Sequence, residues 1–196
     1  MSYATWAEQI ARNLLSEPLP RRWAHVQAVA ATARTLAPVL GGDADLVIAA
    51  GWLHDIGYAP ALAGSGFHPL DGARYLRDAG HAGDVLCRLV ANHSCAITEA
   101  AGRGLAGELS REFRPARRDL ADALIYCDMT TGPDGQRMTV EQRLADIGTR
   151  YGPGDPVSQA ITRSAPLLIA ATGRVTRKLA RSPAARRREA AQACPA

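Results

Sequence analysis

The sequence predicts a single all-α domain. The chain has 196 residues, of which 47% are hydrophobic, and this is sufficient for a substantial core. Apolar residues recur at helical spacing between breaks made by proline and glycine. Alternation of β-branched and polar residues, which indicates strands, is almost absent. We therefore expect a compact helical bundle with no internal repeat and no linker that divides it.

The first half of the chain shows five helical segments. Trp6, Ile10 and Leu14 follow helical spacing in the first segment, Pro38 ends the second, and Asp43 is expected to cap the third. The predicted segments are residues 3–15, 21–37, 43–56, 69–79 and 82–93. The connection at residues 58–67 is rich in glycine and proline, so we expect a mobile loop that could act as a lid.

The second half contains more turn signals. Three glycines favour loops or short turns in residues 94–114, and a helix is expected over residues 115–129. Thr139 and Gln142 have the spacing of a capping box, which predicts a helix to about residue 151. A last helix is expected after Pro156, kinked or broken near Pro166.

The basic charge is concentrated at the end of the chain. Residues 174–196 hold seven basic residues and one acidic residue, so the rest of the chain is slightly acidic in spite of its net charge of +4. We expect this tail to be partly disordered and to make at most weak contact with nucleic acid. The predicted divisions are an N-terminal helix at 1–19, a core at 20–130, C-terminal helices at 131–173 and the tail at 174–196.

Cysteine usage and hydropathy favour a cytoplasmic protein. The four cysteines form no CxxC pair and are too few for a disulfide-stapled domain. The longest strongly apolar run, residues 46–53, is far shorter than the ~20 residues of a membrane span. We therefore expect no membrane association; the oligomeric state stays open.

Histidines give the strongest functional signal. The chain has five, and four of them lie at the ends or on the apolar faces of predicted helices. These four are His25, His54, His68 and His93. The fifth, His81, lies between glycines and is expected in a solvent-facing turn.

Two aspartates lie in equally apolar surroundings. Asp55 follows His54 at the end of an apolar helix, and Asp128 ends another apolar run. A buried carboxylate must be paired, protonated or bound to metal, although Asp128 could also cap a turn. A divalent metal with neutral imidazoles would satisfy both carboxylates, and Asp55 could turn one oxygen toward each of two ions. Imidazole and carboxylate ligands together suit iron, manganese or zinc.

Three segments carry a family resemblance. Residues 22–26 (RWAHV), 51–58 (GWLHDIGY) and 126–129 (YCDM) resemble the HD superfamily of metal-dependent phosphohydrolases. The resemblance covers roughly residues 20–130 and implies a helical HD-domain bundle. It also implies the ligands of a first metal ion, which are His25, His54, Asp55 and Asp128.

A second metal ion is implied by two further segments. Residues 68–73 (HPLDGA) and 90–94 (VANHS) resemble those of HD members in which two more histidines hold another ion and the HD aspartate bridges the pair. By this resemblance His68 and His93 are ligands, and Asp55 is the catalytic bridge. We expect one or two divalent transition metal ions, iron, manganese or similar.

The resemblance implies hydrolysis of a phosphate ester by metal-activated water. The substrate is expected to be a nucleotide or another small phosphorylated metabolite. Arg21 and Arg22 precede His25 and could reach its phosphate, while Thr130 and Thr131 follow Asp128 and could line the pocket.

Two alternatives remain open at the level of sequence. Some HD proteins with this six-ligand pattern are mixed-valent di-iron oxygenases that cleave organophosphonates or inositol with O₂. A non-catalytic module that binds a nucleotide is the other alternative. The alarmone-hydrolase and cyclic-di-GMP phosphodiesterase subgroups are disfavoured, because the acidic pair and the G-Y-P element that mark them are missing.

Overall fold

A computed structural model describes residues 2–80 and 82–183 and confirms the all-α prediction. Within these residues the only β feature is an isolated bridge between Thr131 and Arg137. The helices are α1 (Tyr3–Leu15), α2 (Pro20–Thr35), α3 (Ala37–Leu40), α4 (Ala44–Leu53), α5 (His68–Asp78), α6 (Asp84–Ala91), α7 (Ala96–Gly102), α8 (Ala106–Glu112), α9 (Arg118–Met129), α10 (Val140–Tyr151) and α11 (Pro156–Ala180).

Helix α4 lies at the centre of the bundle. Apart from Asp45 in its first turn it is apolar, and it packs against α1, α2, α6 and α9, as expected of a central helix. The carboxylate of Asp45 accepts hydrogen bonds from the backbone N–H groups of Tyr3 (2.8 Å) and Ala4 (3.2 Å), which fixes the start of α1. Gly51 lets α2 approach closely, because a Cβ atom there would lie 3.1 Å from the Cα of Ala30.

Helix α9 contributes to two apolar clusters. Leu120, Ala123 and Leu124 belong to the main core with α1, α2, α4, α5 and α6. Ile125 and Met129 belong to a smaller cluster with residues of α10 and α11. Helix α9 therefore joins the central bundle to the C-terminal helices.

One local prediction is confirmed and two differ from the structure. Thr139 and Gln142 form the capping box at the start of α10. Residues 94–114 form helices α7 and α8 instead of loops, because Ala100 and Leu109 reach the core and stabilise them. The side chain of Asp43 does not cap α4 and instead contacts Arg117.

Helix α11 extends beyond residue 174, where the sequence predicts that the tail begins. It is assigned continuously through Pro166 and ends at Ala180. Arg174 is held by two hydrogen bonds of 2.7 Å to the carboxylate of Asp122, so the first residues of the predicted tail are ordered. The rest of the tail, residues 184–196, and the predicted turn at His81 lie outside the described residues.

No single helix in the described ranges is long and apolar enough to cross a membrane. One bent pair, Pro20–Thr35 with Ala37–Tyr58, reaches the required length and composition only when both parts are taken together across a 57° bend.

The loop at residues 58–67 is held by a buried carboxylate. Asp71 of α5 accepts hydrogen bonds from the backbone N–H of Gly64 (3.2 Å) and from the N–H and hydroxyl of Ser65 (2.8 and 2.7 Å). Phe67 at the end of the loop is fully buried. The loop that the sequence predicts to be mobile is therefore tied to the helix that follows it.

A close backbone contact places the start of α5 beside the end of α4. A Cβ atom at Gly57 would lie 2.0 Å from the carbonyl oxygen of His68 and 2.7 Å from the backbone nitrogen of Gly72. Neither backbone atom can move without shifting α5. Glycine at position 57 is therefore required for His68 to reach the end of α4.

We predict that Gly57→Ala destabilises the protein by about 1–3 kcal/mol, the range for an overpacked core. Gly148→Ala in α10 is the matched control. A Cβ atom meets nothing within 4 Å there, so this helical substitution should stabilise by about 0.5–1 kcal/mol. Urea unfolding of both variants measures the difference. Equal stability of Gly57→Ala and the parent would contradict the described contact.

Candidate metal centre

Six of the predicted side chains converge in two groups of three. In each group the candidate ligand atoms lie within 4.8 Å of one another. The first triad is His25, His54 and Asp128, and the second triad is Asp55, His68 and His93. All six residues that the sequence analysis proposes as metal ligands thus meet in one place, as two adjoining sets.

Asp55 faces both triads. Its Oδ2 atom lies 3.8 Å from Nε2 of His25 and 3.5 Å from Nε2 of His54. Its Oδ1 atom lies 3.4 Å from Nε2 of His68 and 3.7 Å from Nε2 of His93. One carboxylate therefore presents a different oxygen to each set of imidazoles.

The ends of helices bring these side chains together. His54 caps α4, His68 is the first residue of α5, and His93 begins the turn after α6. That turn is unusual, because Ser94 and Cys95 both have left-handed backbone conformations (φ 47° and 62°). Such strain is costly in residues other than glycine and often accompanies a functional site.

Three histidines have an imposed orientation. The Nδ1 atoms of His25, His54 and His93 lie 2.9, 3.0 and 2.7 Å from the carbonyl oxygens of Gly132, Gly51 and Val90 respectively. A carbonyl can only accept, so each Nδ1 carries the proton and donates. The Nε2 lone pairs then point into the centre, which is the arrangement of histidines that ligate a metal.

His54 has a buried nitrogen without a partner. The residue is 0% exposed, and no hydrogen-bond partner is present for its Nε2 among the described residues. An unpaired buried polar atom costs free energy. A metal ion bound to this nitrogen would remove the cost, so the donor set fits a divalent transition metal in its chemistry and in its unmet bonding.

Burial keeps the imidazoles of His54 and His68 neutral. It lowers the pKa of His54 and of His68 to about 4, against partial opposition from the charge of Asp55. Burial alone would raise the pKa of Asp55, but Arg22 and His54 outweigh it and hold that pKa well below its usual range. The pKa of Asp128 is also low, because His25, His54 and Arg143 outweigh its burial. His54 and His68 thus offer neutral imidazoles, and Asp55 and Asp128 offer ionised carboxylates, which are the protonation states that metals require.

Of the two arginines predicted to bind substrate, the structure places only Arg22 at the centre. Its Nη1 atom donates a hydrogen bond of 2.6 Å to Oδ2 of Asp55, and its guanidinium lies 4.1 Å above the ring of Tyr58. Arg21 points away and forms two hydrogen bonds with the exposed carboxylate of Asp134. The expectation for Arg21 does not agree with its position, because successive helical residues diverge by about 100°.

The two threonines are not part of the cavity beside the centre either. The hydroxyl of Thr130 donates to the carbonyl oxygen of Tyr126 (2.6 Å), and that of Thr131 donates to the carbonyl oxygen of Cys127 (2.8 Å). Both hydroxyls thus bond to the preceding turn of their own helix. Neither lines the cavity in which Arg22 and Asp55 lie.

Sequence reasoning missed three residues at the centre. Ser94 donates a hydrogen bond to Asp128, and the ring of Tyr58 stacks on His68 at 3.9 Å between ring centres. Arg143 of α10 is 5% exposed and lies 3.9 Å from Oδ1 of Asp128. A signal for Arg143 was present, since it shares a helix face with the buried Val140 and Ile147 and so puts a charge on an apolar face.

The family model described as HD domain matches residues 22–147. The match spans more than half of the chain, so the protein belongs to the HD domain family. No curated protein and no solved structure matches the chain significantly. The family is one of the metal-dependent hydrolase type, and the two triads give this member a possible metal site.

We predict that the metal-free protein loses stability between pH 6.5 and pH 4. In this window the unfolded chain binds protons at His54 and His68, whose pKa is lowered to about 4 in the folded state. Protonation then favours unfolding by up to about 2 kcal/mol per histidine at pH 5. The low pKa values of the two aspartates affect stability only below their usual range, outside this window.

Urea unfolding in chelator-treated buffer at pH 7 and pH 5 measures this loss. His68→Gln should reduce the difference between the two pH values, since it removes one of the two groups. If His68→Gln retains the whole difference, the neutral buried imidazole is not its source.

Proposed function

We propose that this protein is a phosphohydrolase that uses two divalent transition metal ions, iron, manganese or similar, to cleave a small phosphate ester. The observation that carries the proposal is Asp55, whose two oxygens face separate sets of imidazoles. The first triad with Oδ2 of Asp55 would hold one ion, and His68 and His93 with Oδ1 would hold the other. Divalent ions bound here supply Lewis acidity, which lowers the pKa of water and polarises a phosphoryl oxygen.

The protein itself supplies orientation and a partly closed pocket. The centre opens into a cavity of about 90 Å³, and Asp55, His68 and Asp128 lie on its wall. Arg22 contributes a fixed positive charge, since the ion pair with Asp55 holds its guanidinium over the ring of Tyr58. In this position it can bind a phosphoryl oxygen and orient the ester toward the carboxylate.

A catalytic role for Asp55 explains why the carboxylate is almost completely buried. It is 3% exposed and keeps its charge only through surrounding cations and donors. Burying such a charge destabilises the fold unless it is compensated. This loss of stability is explained if the carboxylate must hold two metal ions at a defined place. A purely structural role could be filled by an apolar residue without burying a charge.

We predict that Asp55→Ala loses bound metal and lowers kcat/KM for the best phosphate ester by more than about 100-fold, the upper end of the loss for a residue that only supports a ligand. Asp134→Ala is the matched control, because that carboxylate is 57% exposed and pairs with Arg21. A phosphate-ester panel with manganese or iron, combined with metal analysis, measures both effects. Full turnover by Asp55→Ala would contradict the proposal.

The donor set also supports a second candidate function. The site contains four imidazoles and two carboxylates, and one of these carboxylates, Asp55, faces both sets of imidazoles. Such a donor set suits iron, so oxygenation at a di-iron centre is the rival reaction. Substrate-dependent O₂ uptake by the iron-loaded protein, in the absence of phosphate release, would favour this function over hydrolysis. Binding of a nucleotide without turnover or O₂ uptake would favour a non-catalytic module.

We also propose a cytoplasmic location and a small phosphorylated substrate as the partner. Buried Cys87 and Cys127 are free thiols, which agrees with a reducing compartment. For nucleic acid, the last turn of α11 is basic through Arg177 and Lys178, and contact by the tail stays a weak expectation.

A further inference from the structure

Arg143 is a buried cation whose bonding is incomplete. It is 5% exposed, and its Nε atom is buried without a hydrogen-bond partner among the described residues. Its Nη1 atom donates to Asp146 at 3.1 Å, while its Nη2 atom lies 3.9 Å from Oδ1 of Asp128, beyond hydrogen-bond distance. Arginine has five N–H donors, so this side chain retains capacity for an anion.

Arg22 and Arg143 stand beside different carboxylates of the centre. Arg22 pairs with Asp55 from α2, and Arg143 approaches Asp128 from α10. Both arginines line the same cavity. An anion in this cavity would therefore meet guanidinium groups from two helices that are distant in sequence.

The charge of the centre creates the need for such an anion. Without metal, the charged side chains on the cavity wall balance, since Arg22, Arg143 and Arg150 stand against Asp55, Glu99 and Asp128. Divalent ions held by the triads would leave an excess of positive charge in a largely buried place. Uncompensated buried charge is unfavourable, so a multiply charged anion is the ligand that fits best.

The size and lining of the cavity restrict what the anion carries. A cavity must offer about 10–15 Å³ to hold one water molecule. The cavity beside the centre has a volume of about 90 Å³, so it accommodates a phosphoryl group and a few further atoms. Ile147, Val157 and Ile161 form an apolar part of the wall. This wall suits a short carbon chain better than a second or third phosphate.

We propose that Arg22 and Arg143 form a clamp for the terminal phosphate of a small phosphomonoester, whose carbon portion lies against the apolar wall of α10 and α11. The proposal rests on the proposed hydrolase function and adds Arg143 as a substrate-binding residue. A planar guanidinium binds two phosphate oxygens side by side. A phosphodiester has one ionisable oxygen fewer, so it gains less from the clamp.

Binding of inorganic phosphate to the manganese-loaded protein tests the clamp without turnover. We expect Arg143→Gln to raise the Kd for phosphate on the order of tenfold or more, the effect of losing a hydrogen bond between charged groups, with metal content unchanged. Arg143→Lys keeps the positive charge but lacks the planar guanidinium, so it should raise the Kd for phosphate by a smaller factor. This variant also keeps the test possible if Arg143→Gln does not fold. Unchanged phosphate affinity in a folded, metal-loaded Arg143 variant would overturn the clamp.

Asp146→Asn is the matched control. It removes the ion pair of Arg143 with Asp146 but leaves the guanidinium in place. The clamp predicts equal or tighter phosphate binding by this variant, because a nearby negative charge is lost. Phosphate binding weakened as much as in Arg143→Gln would show that Arg143 acts only by holding α10, and would overturn the proposal.

Steady-state kinetics separate this proposal from the hydrolase function. If short-chain phosphomonoesters are cleaved, Arg143→Gln should raise KM more than it lowers kcat, and dimethyl phosphate should be a poor substrate. Cleavage with an unchanged KM in the variant contradicts the clamp and leaves the hydrolase function standing. Phosphate binding that depends on Arg143, without cleavage of any ester, supports the clamp and contradicts the hydrolase function.

Discussion

The buried carboxylate of Asp55 is the constraint on which the rest of the site depends. An ionised carboxylate that is 3% exposed is stable only where cations, donors or metal ions surround it. The fold meets this demand by ending α4 at His54, starting α5 at His68 and turning the chain after α6 at His93. Each of these ends places an imidazole within 3.7 Å of an oxygen of Asp55.

Compensation without metal is only partial. Arg22 pairs with Oδ2 of Asp55, and Ser94 donates a hydrogen bond to Asp128. Among the described residues, Nε2 of His54 nevertheless remains buried without a partner, and the Nε2 atoms of His68 and His93 face each other at 3.2 Å. Imidazoles kept in such contact are a poor structural core but a suitable set of ligands.

The sequence predicted the parts of the protein that depend on local pattern. Helical spacing predicted the fold class, and the positions of four histidines and two aspartates at helix ends or on apolar faces, together with the family resemblance, singled out the residues that lie in the two triads. These residues could be singled out because a polar residue on an apolar helix face must find a partner wherever the helix packs. The same rule would have indicated Arg143, had it been applied to arginine.

The expectations that differ from the structure depend on where a side chain points or on contacts between segments far apart in the chain. Nearness to a ligand in sequence suggested Arg21, Thr130 and Thr131, but the first faces an exposed aspartate and the other two bond to carbonyl oxygens of their own helix. The approach of α5 to Gly57 and the seating of α10 over the cavity join segments far apart in the chain. Such contacts are set by packing of the whole bundle, which local pattern does not specify.

The most direct measurement of the central claim is the number and position of metal ions in crystals of the manganese-loaded protein, located by anomalous scattering. The account predicts two ions per chain, one at each triad, with a different oxygen of Asp55 nearest each ion. A single ion per chain at saturating manganese, or two ions of which only one contacts Asp55, would contradict it.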